Sequence, residues 1–299
     1  MTTANPPTLF AVIIPHKDDV KRLQVCLDAL VHNSRNTDVL RRGEVIVVDN
    51  NSEADLTGTI AKYPEVRFVS ELEPGAAMAR NRGVRETNAD RIFFLDCDCV
   101  PDDSWLETAM LAIEDAEIVG GFIETFDETE PPRTGAQAFE TVFAFRQKFY
   151  VEQKSFSVTA NLLTWREIFT SVGDFRPFVS EDLEWCQRAN RKNYKLTYDG
   201  RLKVAHPTRN DWRALSRKWR RLVDESFALH RLNEGSRLSW LIRAGMVLVS
   251  PSIDIFKVFK SKKKLSSNEK IRAATTLVRI RAYRALWMCQ QALGSTTTQ

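Results

Sequence analysis

Two aspartates one residue apart, Asp96 and Asp98, directly follow the apolar run Arg91-Ile92-Phe93-Phe94-Leu95. In an extended chain that spacing turns both carboxylates to one side. Crowded together without a basic neighbour they repel, and the pair is costly. A divalent cation between them and a phosphorylated ligand reverses the sign, because hard cations take oxygen ligands. The plain alternative is a solvated acidic turn, and the position just past a buried strand argues against it. A further carboxylate, Asp49, closes another apolar run in Val48-Asp49-Asn50-Asn51-Ser52. It could accept two hydrogen bonds from a base or ribose, or it could close an Asx-turn or cap a helix, which taken alone is the better reading. Gly75-Ala76-Ala77-Met78-Ala79-Arg80-Asn81-Arg82-Gly83 enters a helix on small residues that permit close packing. Its arginines suit phosphate or plain solvent equally well. Ser180-Glu181-Asp182 has the pattern of a helix N-cap with first-turn acids, which the macrodipole alone would favour. His206 ends a β-like run before Pro207, and a lone histidine is more often structural than a ligand.

These residues need strands and helices that present them together. Phe10–Ile14 is a continuous apolar run that suits a strand covered on both faces, and Pro15 ends it. A helix pattern follows from Asp19 to His32, with Val20, Leu23, Cys26, Leu27 and Leu30 at three- and four-residue intervals. Strands are expected at Glu44–Val48, Val66–Ser70, Arg91–Leu95 and Ala116–Phe122, with helices at Leu56–Tyr63 and Gly75–Glu86 between them. Alternating strands and helices imply βαβ units, a mostly parallel sheet, and ligands beyond the strands' carboxyl ends. Thr125–Thr134, acidic and Pro-containing, reads as an exposed loop. Phe143–Phe149 and Trp165–Val172 read as short helices. Leu196–Tyr198 and Leu202–Ala205 read as a hairpin around Asp199-Gly200. Three basic helical stretches then cover 210–231, 237–259 and 268–292.

Composition divides the chain into two characters. Of 43 Lys/Arg and 39 Asp/Glu, residues 201–299 hold 21 and 6, a net of +15, which leaves the first 200 residues at −11. An acidic body with a basic tail implies two jobs. At 299 residues with 43% apolar and 27% charged side chains, neither a disulfide mini-domain nor a disordered chain fits. Met1–Pro7 lacks the basic start and apolar run of a secretory signal. Five cysteines without a C-x-x-C pair point to reduced thiols and a cytoplasmic setting. The most apolar stretch, Ala244–Ile253, is too short to cross a bilayer. With its flanking Lys/Arg clusters it suits a helix lying on an anionic membrane at the inner face of the cell membrane. The bland alternatives are packing on the body or a homodimer.

The ordered set V-I-I-P, V-V-D-N-N-S, G-x-x-x-A-R-N-x-G, F-L-D-x-D, G-x-F and E-D-x-E-W resembles the family 2 glycosyltransferases, over about residues 9–210. The resemblance implies a GT-A fold: an α/β, Rossmann-like three-layer arrangement with a mostly parallel central sheet. Its nucleotide-sugar half would span about 9–122 and its acceptor half about 123–210, with 211–299 as the basic helical extension. It implies an inverting transfer from a nucleotide-sugar, in the first instance a UDP-sugar, to a hydroxyl of a glycan or lipid-linked acceptor in cell-surface polysaccharide synthesis. By the same resemblance Asp49 would contact the base or ribose, Arg80 the nucleotide end, and Asp96 the ribose or sugar. Pro15 and Glu181 would belong to the donor site. Asp98 and His206 would bind Mn²⁺ or Mg²⁺, and Asp182 would be the catalytic base. The family's P-T-Y-N after the first strand is Pro15-His16-Lys17-Asp18 here, so an aromatic contact to the base is missing.

Other classes fit less well. A nucleotidyltransferase that makes nucleotide-sugars would carry a Gly-rich loop after the first strand, and Pro15–Asp19 contains no glycine. A dinucleotide oxidoreductase would need G-x-G-x-x-G after a strand. Nucleic acid is not expected as a partner, because the body is acidic and no RNP, zinc-finger or helix-turn-helix signature occurs.

Overall fold

The computed structural model describes residues 8–32 and 37–294, so the leader segment Met1–Pro7 lies outside the described residues. The chain divides into two compact units. The first comprises residues 1–124, 146–177 and 181–206; the second comprises 125–145, 178–180 and 207–299.

The first unit begins with β1 (Phe10–His16), α1 (Val20–Leu27) and a π-helical turn over Asp28–His32. A short α2 (Thr37–Leu40), β2 (Gly43–Asp49), α3 (Thr57–Lys62), β3 (Val66–Ser70), α4 (Ala76–Arg85) and β4 (Arg91–Leu95) follow. The apolar runs read from the sequence are therefore strands, and β3 and β4 have the expected bounds. After β4 come a two-residue β5 (Val100–Pro101), α5 (Trp105–Glu114) and β6 (Ile118–Phe126). After α6 (Gly135–Phe143), which belongs to the second unit, come α7 (Gln147–Lys154), β7 (Asn161–Trp165), α8 (Arg166–Val172), α9 (Glu181–Arg191) and β8 (Leu196–Pro207).

The eight strands form one sheet in the order β3-β2-β1-β4-β7-β6-β8-β5. It is parallel through β3, β2, β1 and β4, and antiparallel where β4 meets β7, β7 meets β6 and β8 meets β5. The parallel half is the one built of βαβ units. Period-two alternation sorts the residues of β1 between two cores. Ala11 and Ile13 join Ala79 of α4, Phe169 of α8 and Trp185 of α9 in one cluster. On the other face Phe10 stacks on Phe93, whose ring meets Trp105 of α5 edge-on. Helices thus cover both faces, which makes three layers.

Several local expectations are corrected, the first being that β1 runs through Pro15 to His16 instead of ending at the proline. Asp199-Gly200 does not turn, and β8 runs through it as one strand of 12 residues. Asp199 satisfies its carboxylate on the backbone and guanidinium of Arg201, while Leu202, Val204 and His206 keep the alternating burial of a strand. Phe143–Phe149 straddles the break between α6 and α7, where Phe145 takes φ +46. Trp165 ends a strand rather than starting a helix, and the helix begins at Arg166. Finally, Asp96 to Cys99 is a turn closed by the Cys99 N–H on the Asp96 carbonyl at 3.0 Å, not an extended segment. Thr125 and Phe126 complete β6, and the exposed loop begins after them.

The second unit is helical. To α6 it adds α10 (Trp212–Leu232), α11 (Arg237–Val249), α12 (Pro251–Phe259) and α13 (Ser267–Leu293). Ala138, Phe139, Leu215, Val258, Leu277 and Ile280 share one core there. Buried Glu140 accepts from the Lys218 ammonium at 2.7 Å and the Arg209 backbone N–H at 2.7 Å, which fixes α6 to α10 and the segment before it. Among the described residues no helix is long and apolar enough to cross a membrane.

Candidate active site

Because β1, β2 and β4 run parallel, their carboxyl ends share one edge of the sheet, and the polar residues that follow them meet there. His16 and Asp49 are register partners at that edge. The Asp19 N–H donates to His16 Nε2 at 3.2 Å, so the ring proton sits on Nδ1 and donates to Asp49 Oδ1 at 3.0 Å. The Ser52 hydroxyl donates to the same oxygen at 2.5 Å, and the Ser52 N–H reaches Asp49 Oδ2 at 3.2 Å. The carboxylate thus caps the N–H three residues on, the bonding of a helix N-cap rather than of an Asx-turn. Burial works to raise the Asp49 pKa, but the bonds from Ser52 and His16 win and hold the carboxyl below its ordinary range. Pro15, one residue before His16, is buried in β1.

The next loop is tied to this edge from inside. Buried Asn50 donates to the carbonyls of Glu71 and Glu73 and accepts from the Gly75 N–H at 2.7 Å. Gly75 stands at the N-cap of α4 with φ +116, a conformation that favours glycine. About two turns on, α4 lies against β1 so closely that a Cβ on Gly83 would stand 2.4 Å from Ile13 Cγ2. Between them sits Arg80. It is 3% exposed, and its two terminal nitrogens reach Asp96 Oδ1 at 2.5 Å and Glu181 Oε1 at 2.9 Å. Burial opposes its charge, and the two carboxylates more than restore it. The basic neighbour that the local sequence around Asp96 lacks comes from α4.

Asp98 turns to a different partner. Antiparallel pairing of Val100 with Ala205 brings the end of β8 beside the turn, and His206 Nε2 lies 3.3 Å from Asp98 Oδ2. Burial first, then the charges of Asp98 and Asp96, push the thiols of Cys26, Cys97 and Cys99 up, so these side chains stay neutral. All five cysteines are free.

The Glu181-Asp182 pair opens α9. That helix is positioned by Asn81, whose side-chain amide bonds both the N–H and the C=O of Phe175 (2.9 and 2.8 Å), and by the Trp185 indole on the Gly173 carbonyl at 3.0 Å. Asp182 is half-buried, and the Leu183 N–H donates to it at 2.7 Å. Desolvation and the neighbouring Glu181 charge nevertheless push its carboxyl up to about 7. A carboxylate poised near neutrality is suited to taking a proton.

Asp96, Arg80, Glu181 and Asp182 thus stand together, His16 closes on Asp49, and Asp98 meets His206. The residues the sequence did not single out are His16, Ser52, Asn50 and Asn81. His16 stood out there only as a departure from P-T-Y-N, and the others lie inside quoted motifs without a role of their own. As a cation site the Asp98–His206 pair is incomplete: among the described residues, no group of three or more His, Cys, Asp or Glu side chains could hold a metal by itself. Asp98 and His206 would supply a carboxylate and an imidazole to a divalent cation, whose other ligands would have to come from outside the protein.

Residues 11–183 match the model described as Glycosyl transferase family 2. The glycosyltransferase AglE of Haloferax volcanii is 29% identical over 231 residues, covering 74% of this chain and 73% of the relative. Hyaluronan synthase of Pasteurella multocida is 36% identical over 85 residues, 26% of this chain and 9% of the relative. Among solved structures, mannosyltransferase PcManGT from Pyrobaculum calidifontis, in complex with GDP-Man and Mn²⁺, superposes with a TM-score of 0.52 at 17% identity, over 98% of this chain and 76% of that one. Residues 1–349 of S. aureus TarS give 0.51 at 15% identity, over 95% of this chain and 88% of that one.

Proposed function

Because the chain belongs to glycosyl transferase family 2, and is therefore a glycosyltransferase, we propose that it moves a sugar from a nucleoside diphosphate donor to an acceptor hydroxyl with inversion. The observation that carries this reading is the cluster in which Arg80 bridges Asp96 and Glu181 with Asp182 next in the chain, a setting that pushes the Asp182 carboxyl up. Asp182 takes the proton of the acceptor hydroxyl as it attacks, a step worth roughly 10²–10⁴-fold. Attack opposite the departing diphosphate inverts the anomeric carbon through an oxocarbenium-like transition state. Arg80 acts on the donor through Asp96, since both its terminal nitrogens are engaged with carboxylates. Asp96 Oδ2 meets a ribose or sugar hydroxyl, and Glu181 holds the other end of the guanidinium. Asp49, with Oδ1 occupied by His16 and Ser52, offers Oδ2 to the nucleoside, and buried Pro15 shapes the strand end beneath it. Asp98 and His206 would hold Mn²⁺ or Mg²⁺, which when bound neutralises charge growing on the diphosphate.

The donor we favour is a UDP-sugar, with GDP-sugars next, since PcManGT is described with GDP-Man and TarS with UDP-GlcNAc. The acceptor we favour is a glycan or lipid-linked hydroxyl used in cell-surface polysaccharide synthesis, reached by an enzyme peripheral to the inner face of the membrane. The domain plan we favour puts the donor chemistry within residues 1–210 and the addressing within 211–299. The test is a screen of UDP-, GDP- and dTDP-sugars for nucleotide release with Mn²⁺ or Mg²⁺, with and without lipid acceptors. Release from one donor class that depends on the cation and on Asp182 is expected. No release from any donor under any condition would sink the reading.

A further inference from the structure

We propose that the outer face of α11 and α12 is a docking surface for an anionic lipid bilayer, into which its apolar side chains insert. This deepens the peripheral placement proposed above and rests on it, but it needs no particular donor or acceptor. Trp240 and Ala244 bury the inner face of α11, in a core shared with Met288 of α13. On its outer face Leu238, Ile242 and Val249 are 68%, 58% and 66% exposed, and Ile253, Phe256 and Phe259 of α12 are 71%, 62% and 51% exposed. A helix apolar on both faces, with one face in solvent, calls for an apolar occupant. At 13 residues α11 is about 20 Å long, shorter than the roughly 30 Å hydrocarbon core, so it lies in the interface rather than crossing it.

Charge selects among occupants. Residues 237–264 carry seven Lys/Arg and one acid, Asp254. That acid is already paired with Lys257 at 2.5 Å and Arg281 at 3.0 Å. A second copy of the chain, related by a two-fold axis, would set these cations against their own kind. An acidic protein would answer the lysines and leave the apolar stripe exposed. An anionic bilayer answers both, head groups meeting Lys260 and Lys262 while acyl chains meet the stripe.

The test is flotation of the full chain with vesicles of phosphatidylcholine, or of phosphatidylcholine mixed with phosphatidylglycerol, at low and high salt. Wild type should float with the mixed vesicles at low salt and stay down with the neutral ones. Ile253→Asn with Phe256→Ser should cut the floated fraction at least about tenfold, and Lys260→Glu with Lys262→Glu should lower it at low salt. Unchanged circular-dichroism melting of each variant keeps the comparison valid, since all four side chains are exposed. Folded wild type that stays down with anionic vesicles overturns the proposal. So do variants that float like wild type, or a dimer in light scattering that competes with flotation. A chain that floats but releases no nucleotide would defeat the transfer reading and leave this one standing.

Discussion

In the mechanism proposed above most of the chemistry turns on the Asp182 carboxyl, and its raised pKa makes predictions of definite sign. A base works deprotonated, so kcat/KM should rise with pH and level off above about 7, following a single proton. Asp182→Asn should keep donor binding and lose at least about 100-fold in transfer, read by comparing calorimetric donor titration with turnover. The same shift bears on stability. The native state holds a proton that the unfolded chain releases above about 4, so between about pH 4 and 7 this group destabilises the fold progressively as pH rises. Asp182→Asn should therefore melt above wild type at about pH 8 and lose that advantage towards about pH 4. Arg80 lowers the Asp182 pKa, so Arg80→Met should move the pH–rate profile to the alkaline side. It should also cost about 2–3 kcal/mol in urea unfolding, less than a wholly buried pair, because Asp96 and Glu181 keep some solvent. Asp98→Asn should leave the fold intact and weaken donor binding only where Mn²⁺ is present, measured by titration with and without it.

At the scale of elements, what was legible is what local pattern alone decides. β1 to β4 are apolar runs and were all legible as strands; β3 and β4 keep the bounds read for them, while β1 runs on through Pro15 to His16. β7 was not legible: Asn161–Trp165 is a strand because β4 and β6 pair on either side of it, and no local periodicity announces that. Asp199-Gly200 misled because it has turn chemistry, and pairing across the sheet overrode it. The spacing of Asp96 and Asp98 was legible and their geometry was not. The Asp96–Cys99 turn sends one carboxylate to α4 and the other to His206, partners 16 and 108 positions away along the chain. Gly83 illustrates how an element carries the site. A methyl group there must displace Ile13, a stiff β-branched side chain, and with it the helix that presents Arg80. Gly83→Ala should cost about 1–3 kcal/mol in chemical denaturation and lower donor affinity, although residue 83 touches no ligand.

At the scale of the whole molecule, the proposed site and the exposed apolar stripe fall in different units, as the charge asymmetry of the sequence suggested. Asp49, Arg80, Asp96, Asp98, Glu181, Asp182 and His206 all belong to the first unit, and the exposed apolar stripe of α11 and α12 belongs to the second. If chemistry resides in one and addressing in the other, they should separate by mutation. Ile253→Asn with Phe256→Ser alters only exposed side chains of the helical unit. Nucleotide release from a soluble donor to a water-soluble acceptor should then stay within about twofold of wild type. Transfer to an acceptor embedded in anionic vesicles should fall with the bound fraction, because the enzyme no longer concentrates at the surface where that acceptor lies. Raising the salt should mimic the lysine variants in the vesicle assay and leave the soluble assay nearly unmoved, since screening acts on the head-group attraction. Equal losses in both assays would mean that the helical face serves catalysis itself, and that the two units do not divide the work.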